Sequence, residues 1–174
     1  MKTPKLVLAA ALSLIAVGAM QGFDLKKGLP KTEVVFFEPE KFTDVRDGAL
    51  GDSESARNGL LGELRTYIVK QANRLLAPGQ ALKITVTDVD LAGEIEPWHA
   101  SANDIRVVRE IYPPHIVLAF KLTDAEGNVI AQGDRDLRDM DFMMRLSINR
   151  DDARRYEKTM LDDWLRKDFG GLKK

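Results

Sequence analysis

The residues best suited to chemistry lie close together in one segment, ITVTDVDLAGEIEPWHA. A short stretch of it carries four carboxylates, a tryptophan and a histidine: Asp88, Asp90, Glu94, Glu96, Trp98 and His99. Carboxylates at this density suit a hard cation or a shared proton, so we predict a binding site here. Because the spacing lacks the full oxygen cage of a calcium loop, we assign no metal site, no cofactor and no catalytic residue.

The alternation of side chains in this segment changes character halfway along. Leu82, Ile84 and Val86 alternate with polar residues, which is typical of a half-buried strand. If the same period continued, Asp88 and Asp90 would point inward with the apolar residues. Either a β-bulge exchanges the two faces, or both carboxylates lie side by side at the mouth of the core. The sequence leaves both alternatives open.

Two classes of function compete for the acidic segment. As an enzyme, the chain would be a carboxylate- or metal-dependent hydrolase centred on residues 88–99, with several side chains converging on one point. No GxSxG nucleophile elbow accompanies His99 or the second histidine, His115. As a binding module, the chain could use Trp98 as an anchor, because aromatic residues dominate interface energetics. The lack of an assembled catalytic motif favours the binding module.

The N-terminal sequence MKTPKLVLAAALSLIAVGA is typical of a secretory signal peptide. Lys2 and Lys5 flank the start of an apolar run that reaches Val17, and Ala19 is small enough for a signal peptidase site. The run is shorter than the ~20 residues that a bilayer-spanning helix needs, and no later segment approaches that length. We therefore predict cleavage of residues 1–19 and a soluble, periplasmic product without a transmembrane segment.

The amino-acid composition excludes several kinds of site and binding partner. The chain has no cysteine, which excludes disulfides, thiolate metal sites and the lipidated cysteine of a bacterial lipoprotein. Its 26 Lys and Arg residues are interleaved with 27 Asp and Glu residues, and the formal net charge is −1 at pH 7. A nucleic-acid-binding domain would usually be strongly basic. We expect an envelope protein as the partner, no nucleic acid and no lipid anchor.

The remaining pattern predicts one α+β domain over residues 33–170, preceded by a flexible lead at 20–32. Strands are expected at 34–37, 82–87, 116–122 and 129–137, with a fifth, edge candidate at 105–111. Long amphipathic helices are expected at 54–76 and 151–168. The DAEGN sequence at 124–128 predicts a hairpin turn between two strands. Such connections favour two layers: a mainly antiparallel sheet of four to five strands, with both helices on one face.

Five segments carry a resemblance to a known family. They are EPEKFTD after the first strand, TDVDLAGE at a strand end, the IYPP corner, LTDAEG with its DLRD continuation, and the YEKTMLDDW helix. Together they resemble a bacterial exported family, domain of unknown function 3016, over nearly all of the mature chain. The resemblance implies an exported protein with no established activity and no catalytic residue to carry over. We therefore expect a non-enzymatic binding or accessory module of the cell envelope, with the hydrolase as the alternative.

Overall fold

A computed structural model describes residues 31–46, 53–95, 105–145 and 151–171. Within these ranges the elements are β1 (Thr32–Phe36), α1 (Glu54–Leu75), β2 (Ala81–Asp90), β3 (Glu94–Ile95), β4 (Arg106–Val107), β5 (His115–Thr123), β6 (Val129–Arg138) and α2 (Arg155–Phe169). The predicted α+β class is confirmed. The predicted signal peptide and most of the predicted flexible lead lie outside the described residues.

The main sheet has four strands in the order β1-β2-β5-β6. β1 pairs with β2 in parallel, whereas β2 with β5 and β5 with β6 are antiparallel, so the sheet is mainly antiparallel as predicted. The prediction of an edge strand over residues 105–111 is wrong. Only Arg106–Val107 of this segment forms a strand, and it pairs with Glu94–Ile95 in a separate two-stranded sheet. The segment cannot continue as a strand because the Tyr112 N–H bonds back to the Arg109 carbonyl in a turn.

The hairpin between β5 and β6 forms where the sequence predicts it. One oxygen of Asp124 accepts hydrogen bonds from the N–H groups of Glu126 and Asn128, at 3.1 and 2.8 Å. Gly127 follows with φ +88°, a left-handed conformation that glycine adopts without steric cost. Hydrogen bonds from Asn128, foremost that of its side chain, hold the pKa of Asp124 below its ordinary value. Local side-chain chemistry therefore sets the register of the last two strands.

The buried core joins the sheet to both helices. The inward residues of β2 and β5 are Leu82, Ile84, Val86, Ile116, Leu118, Phe120 and Leu122, all of which are buried. They share one apolar cluster with Leu64 and Ile68 of α1 and with Leu161 and Trp164 of α2. The Trp164 ring meets Phe120 edge to face, with centroids 6.1 Å apart. Burying side chains of this size stabilises a fold by roughly 1.5–3 kcal/mol each.

The ends of the helices follow from their capping residues. Of the two capping candidates that the sequence offers before this helix, Ser53 and Asp52, it is Ser53 whose Oγ accepts a hydrogen bond from Ala56 N and caps α1. The second helix begins at Arg155, later than the predicted 151. Asp152 explains the difference, because its Oδ1 accepts from Arg154 N at 2.8 Å and holds this segment in a turn. Ala153, which the predicted helix would bury, is exposed.

Two polar contacts fix how the helices lie against each other. The Tyr67 hydroxyl donates to Asp162 Oδ2 at 2.8 Å, and Lys158 Nζ bonds to Glu63. Residue 63 thus lies opposite residue 158, and residue 67 lies opposite residue 162. Because the residue numbers increase together along both helices, α1 and α2 run in the same direction. Burial, together with the bond to the Asp162 carboxylate, raises the pKa of Tyr67 to about 12.

Candidate functional site

A β-bulge in β2 decides where the predicted acidic residues point. Val86 pairs with Leu118, but the next pair is Asp88 with Val117, so Thr87 is the extra residue. The bulge lets Val89 take the next core position, where it is 1% exposed. Asp88 and Asp90 consequently share the side of the sheet opposite Val89. Of the two alternatives that the sequence leaves open, the structure confirms the bulge.

Asp88 fastens the segment after β1 to β2. Its Oδ1 accepts from the backbone N–H of Thr43 at 2.7 Å, and its Oδ2 accepts from the Thr43 hydroxyl at 2.8 Å. Both carboxylate oxygens are thus used in contacts within the fold. A carboxylate held in this way positions the segment that it binds. This structural role accounts for an aspartate at position 88 without a bound ligand.

Glu94 belongs to a network of carboxylates and arginines that the sequence pattern does not reveal. Asp44 is 3% exposed and bonds Arg46 Nε at 3.2 Å and Arg106 Nη2 at 2.9 Å. Arg46 Nη2 in turn lies 3.2 Å from Glu94 Oε1. Arg106 also donates to two carbonyls, those of Gly93 at 2.7 Å and Arg46 at 2.8 Å. This network ties the segment after β1 to β3 and β4.

Gly93 permits the close approach of the two short strands. Its φ is +82°, and a Cβ at this position would lie 2.7 Å from the Val107 carbonyl oxygen. Its N–H donates to the Tyr112 carbonyl at 3.0 Å. A larger residue would therefore be strained in the backbone and would clash with β4.

Asp90 is the predicted acid with the most unusual environment. It pairs in register with His115 of β5, and His115 Nε2 is hydrogen-bonded to Asp136 Oδ1 on β6 at 2.7 Å. Partial burial, followed by the negative charge of Asp44, raises the pKa of Asp90, while His115 lowers it. Asp90, His115 and Asp136 thus form a polar row across three strands.

Glu157 of α2 is a second buried carboxyl that the sequence did not reveal. It is 1% exposed, and its Oε1 accepts from Ala92 N at 2.7 Å. Its Oε2 is buried and has no hydrogen-bond partner among the described residues. Burial raises the pKa of Glu157, and the hydrogen bond from Ala92 N, followed by the charges of Arg154 and Arg106, opposes this effect only in part. No periodic signal could have identified Glu157, because an inward acid looks in sequence like any other polar helix residue.

The other half of the predicted site cannot be placed. Glu96, Trp98 and His99 lie outside the described residues. Within the described ranges, no group of three or more His, Asp or Glu side chains could hold a metal ion. The convergence of side chains that a hydrolase needs stays a prediction from the sequence.

Exposed apolar side chains concentrate at the same end of the sheet. We call this the distal end: β1, β2 and β6 finish there at Phe36, Asp90 and Arg138, and β5 begins there at His115. Eight large apolar side chains are exposed among the described residues: Phe37, Ile105, Ile111, Val129, Ile130, Met140, Met143 and Met144. All except Val129 and Ile130 belong to segments at the distal end.

Three of these side chains form a patch whose backbone is held in place. We call Met140, Met143 and Met144 the methionine patch: Met143 and Met144 belong to a 3₁₀ turn at Phe142–Met144, and Met140 lies just before it. Phe142 is buried and meets Tyr156 edge to face, with ring centroids 4.8 Å apart. Asp139 accepts from Asp141 N, and its own N–H donates to the Pro114 carbonyl. The methionines are therefore exposed by a structured turn.

Among the described residues, no helix combines the length and apolar character needed to cross a bilayer.

Comparisons with known proteins relate the chain to one family. No curated protein and no solved structure matches the chain. A family model, described as "Protein of unknown function (DUF3016)", matches residues 30–167. The match covers most of the sequence and agrees with the resemblance carried by the five segments, so the chain belongs to the DUF3016 family.

Proposed function

We propose that this chain is a non-enzymatic binding module of the cell envelope, and that it docks a partner protein through the methionine patch. The observation that carries the proposal is the exposure of Met140, Met143 and Met144, with Met144 83% exposed, on a turn anchored by buried Phe142. Contiguous exposed apolar groups are characteristic of interaction sites. Methionine is suited to such a site because its flexible thioether adapts to the shape of a partner.

The proposed architecture gives this patch a rigid support. We infer two layers, in which α1 and α2 lie side by side on the inward face of the sheet. Support comes from the shared cluster of apolar residues and from the Trp164–Phe120 contact. Since Glu157 of α2 bonds Ala92, the start of α2 lies at the distal end. The patch would then rest on both layers at once.

The envelope location is part of the proposal and follows from the N-terminal sequence. A positive start, an apolar run and small residues at its end support export with cleavage after Ala19. The partner is accordingly sought among periplasmic or membrane-attached proteins.

The engagement of the predicted acids supports binding over hydrolysis. Asp88 and Glu94 are bound to Thr43 and Arg46, so among the described acids of the predicted site only Asp90 has no side-chain hydrogen bond to another described residue. A hydrolase would need Asp90 to act with residues such as His99.

A comparison of partner capture by two matched variants tests the proposed function. The mature protein would be used as bait in periplasmic extract, alongside M143S/M144S at the distal end and V129S/I130S at the opposite end. Each variant removes two exposed apolar side chains. We expect a retained partner that M143S/M144S loses and V129S/I130S keeps. Retention of nothing by the wild type, or equal loss in both variants, would contradict the proposal.

A further inference from the structure

The described methionines lie in two different environments. Met140, Met143 and Met144 of the methionine patch are 64, 43 and 83% exposed, whereas Met160 of α2 is 6% exposed and belongs to the apolar core cluster. The other two of the six methionines lie outside the described residues. A small solute in the surrounding water therefore reaches three thioethers of the described chain, while packing protects the fourth.

The three exposed thioethers are open to two-electron oxidation. The sequence has no cysteine, whose thiolate would otherwise compete for the oxidant. Oxidation converts the flexible, apolar methionine side chain into a polar, chiral sulfoxide. Because all three side chains lie within residues 140–144, one oxidant would change the character of the whole patch.

The turn that carries the patch is held by contacts of other side chains. Phe142 packs edge to face on Tyr156, with ring centroids 4.8 Å apart, and Arg145 Nε lies 2.7 Å from Asp139 Oδ2. Arg145 also pairs with Asp163 of α2. None of these contacts uses a methionine sulfur, so an oxygen added to the patch would leave the turn attached to α2.

We propose that the methionine patch is a reversible oxidation site, at which an oxidant of the hypohalous acid class turns an apolar surface polar without unfolding the protein. With hypochlorous acid, the sulfur lone pair attacks chlorine and hydroxide leaves. Water then adds to the sulfur and chloride leaves, so the net products are the sulfoxide, chloride and one proton. Sulfur loses two electrons and chlorine gains them. Methionine sulfoxide reductases reverse the step, with the oxygen leaving as water and two thiols of a reductant joining as a disulfide.

The consequence of this oxidation for binding rests on the proposed docking function of the patch. A sulfoxide oxygen is a hydrogen-bond acceptor, and burying it against an apolar partner surface without a donor costs free energy. Oxidation would therefore release the partner, and reduction would restore binding. The patch would then report on oxidants that reach the cell envelope.

The first test follows oxidation residue by residue in the mature protein. The protein is treated with limiting hypochlorous acid, and peptide mass spectrometry measures the sulfoxide at each methionine. We expect the three patch methionines to oxidise at least about tenfold faster than Met160, and this difference to disappear in urea, where Met160 is no longer buried. The urea unfolding midpoint of the oxidised protein should match that of the untreated protein. Oxidation of Met160 at the rate of the patch in the folded protein, or a fall in the midpoint, would overturn the inference.

The second test asks whether oxidation of the patch changes the surface. Retention on a phenyl hydrophobic-interaction column needs no partner, and it should shorten on oxidation and recover after treatment with both epimer-specific sulfoxide reductases and a thiol. M140L/M143L/M144L keeps every other methionine but has no thioether in the patch, so the oxidant should not change its retention. M160L is the matched control, and it should respond to the oxidant as the wild type does. Unchanged retention of the oxidised wild type, or an equal change in the triple variant, would contradict the inference.

Partner capture from periplasmic extract is measured on the same samples. We expect oxidation to abolish capture by the wild type and by M160L, and reduction to restore it. Capture that survives complete oxidation of the patch would overturn the proposed release. If the untreated protein captures nothing, the proposed function fails, whereas the oxidation rates and the column retention still decide whether the patch is an oxidation site.

Discussion

Glu157 Oε1 on α2 accepts a hydrogen bond from the backbone N–H of Ala92, 65 residues earlier in the chain, at 2.7 Å. The bond fastens the second helix to the turn that follows β2. Because the carboxyl is almost completely buried, its charge state is coupled to folding.

The stability contributed by Glu157 depends on pH in a defined direction. Its pKa is raised above the ordinary value of 4.5 in the folded protein, so the folded state retains a proton that the unfolded state loses. The free energy of unfolding therefore falls as pH rises from 4.5 through the raised pKa. We expect E157Q to become progressively more stable relative to wild type over this range. Urea unfolding of both proteins from pH 4.5 to 8 measures the difference, and a difference independent of pH would refute the prediction.

The buried ion pair of Asp44 and Arg106 predicts a large cost for losing one partner. Among the described residues, R106A leaves the 3% exposed Asp44 with Arg46 as its remaining cation, and it removes two hydrogen bonds to backbone carbonyls. We expect a loss of about 3–5 kcal/mol in urea melts. K41A is the matched control, because the Lys41–Glu38 pair is exposed and such pairs contribute about 0–1 kcal/mol. Equal losses in the two variants would mean that the network does not hold β3 and β4 in place.

The packing of the helices predicts large effects at one central residue of each. L64A and W164A should create cavities that cost roughly 2–5 and 3–5 kcal/mol, because both side chains are buried. K70A, on the exposed side of α1, should change stability by no more than about 0.5 kcal/mol. Lys158 would be a poor control, because it bonds both Glu63 and Asp152. If all three variants unfold at the same urea concentration, the inferred two-layer packing is wrong.

Gly93 should not tolerate a side chain. G93A places a Cβ 2.7 Å from the Val107 carbonyl oxygen and requires alanine to adopt φ +82°. Backbone strain of this kind costs about 1–3 kcal/mol. Thermal unfolding of G93A should show a clear loss, while G127A, which meets no atom within 4 Å, would carry the φ penalty alone. A smaller loss for G93A than for G127A would contradict the close contact with β4.

The local parts of this fold were readable from sequence. The Asp124 turn, the Ser53 cap and the alternation through Leu82, Ile84 and Val86 each depend on neighbours a few residues away. Such short-range chemistry is what periodicity and turn signals report. The bulge at Thr87 was readable too, as one of two alternatives, since a strict period of two would have put carboxylates in the core.

The long-range parts were not readable. Asp44 and Arg106 are separated by 62 residues, and Glu157 meets a backbone N–H whose position depends on the whole sheet. In the turn FMM, Phe142 is buried while Met143 and Met144 are exposed, and the sequence does not say which of the three turns inward. The candidate site at 88–99 was only partly placed, with Asp88 and Glu94 engaged by Thr43 and Arg46.

Site-specific photocrosslinking in cells tests the proposed binding surface most directly. A photoreactive phenylalanine analogue would replace Met144 at the distal end or Ile130 at the opposite end, both of them exposed. We expect illumination to produce a discrete crosslinked adduct from position 144 and none from position 130. No adduct from position 144, or the same adducts from both positions, would contradict the methionine patch as the docking surface.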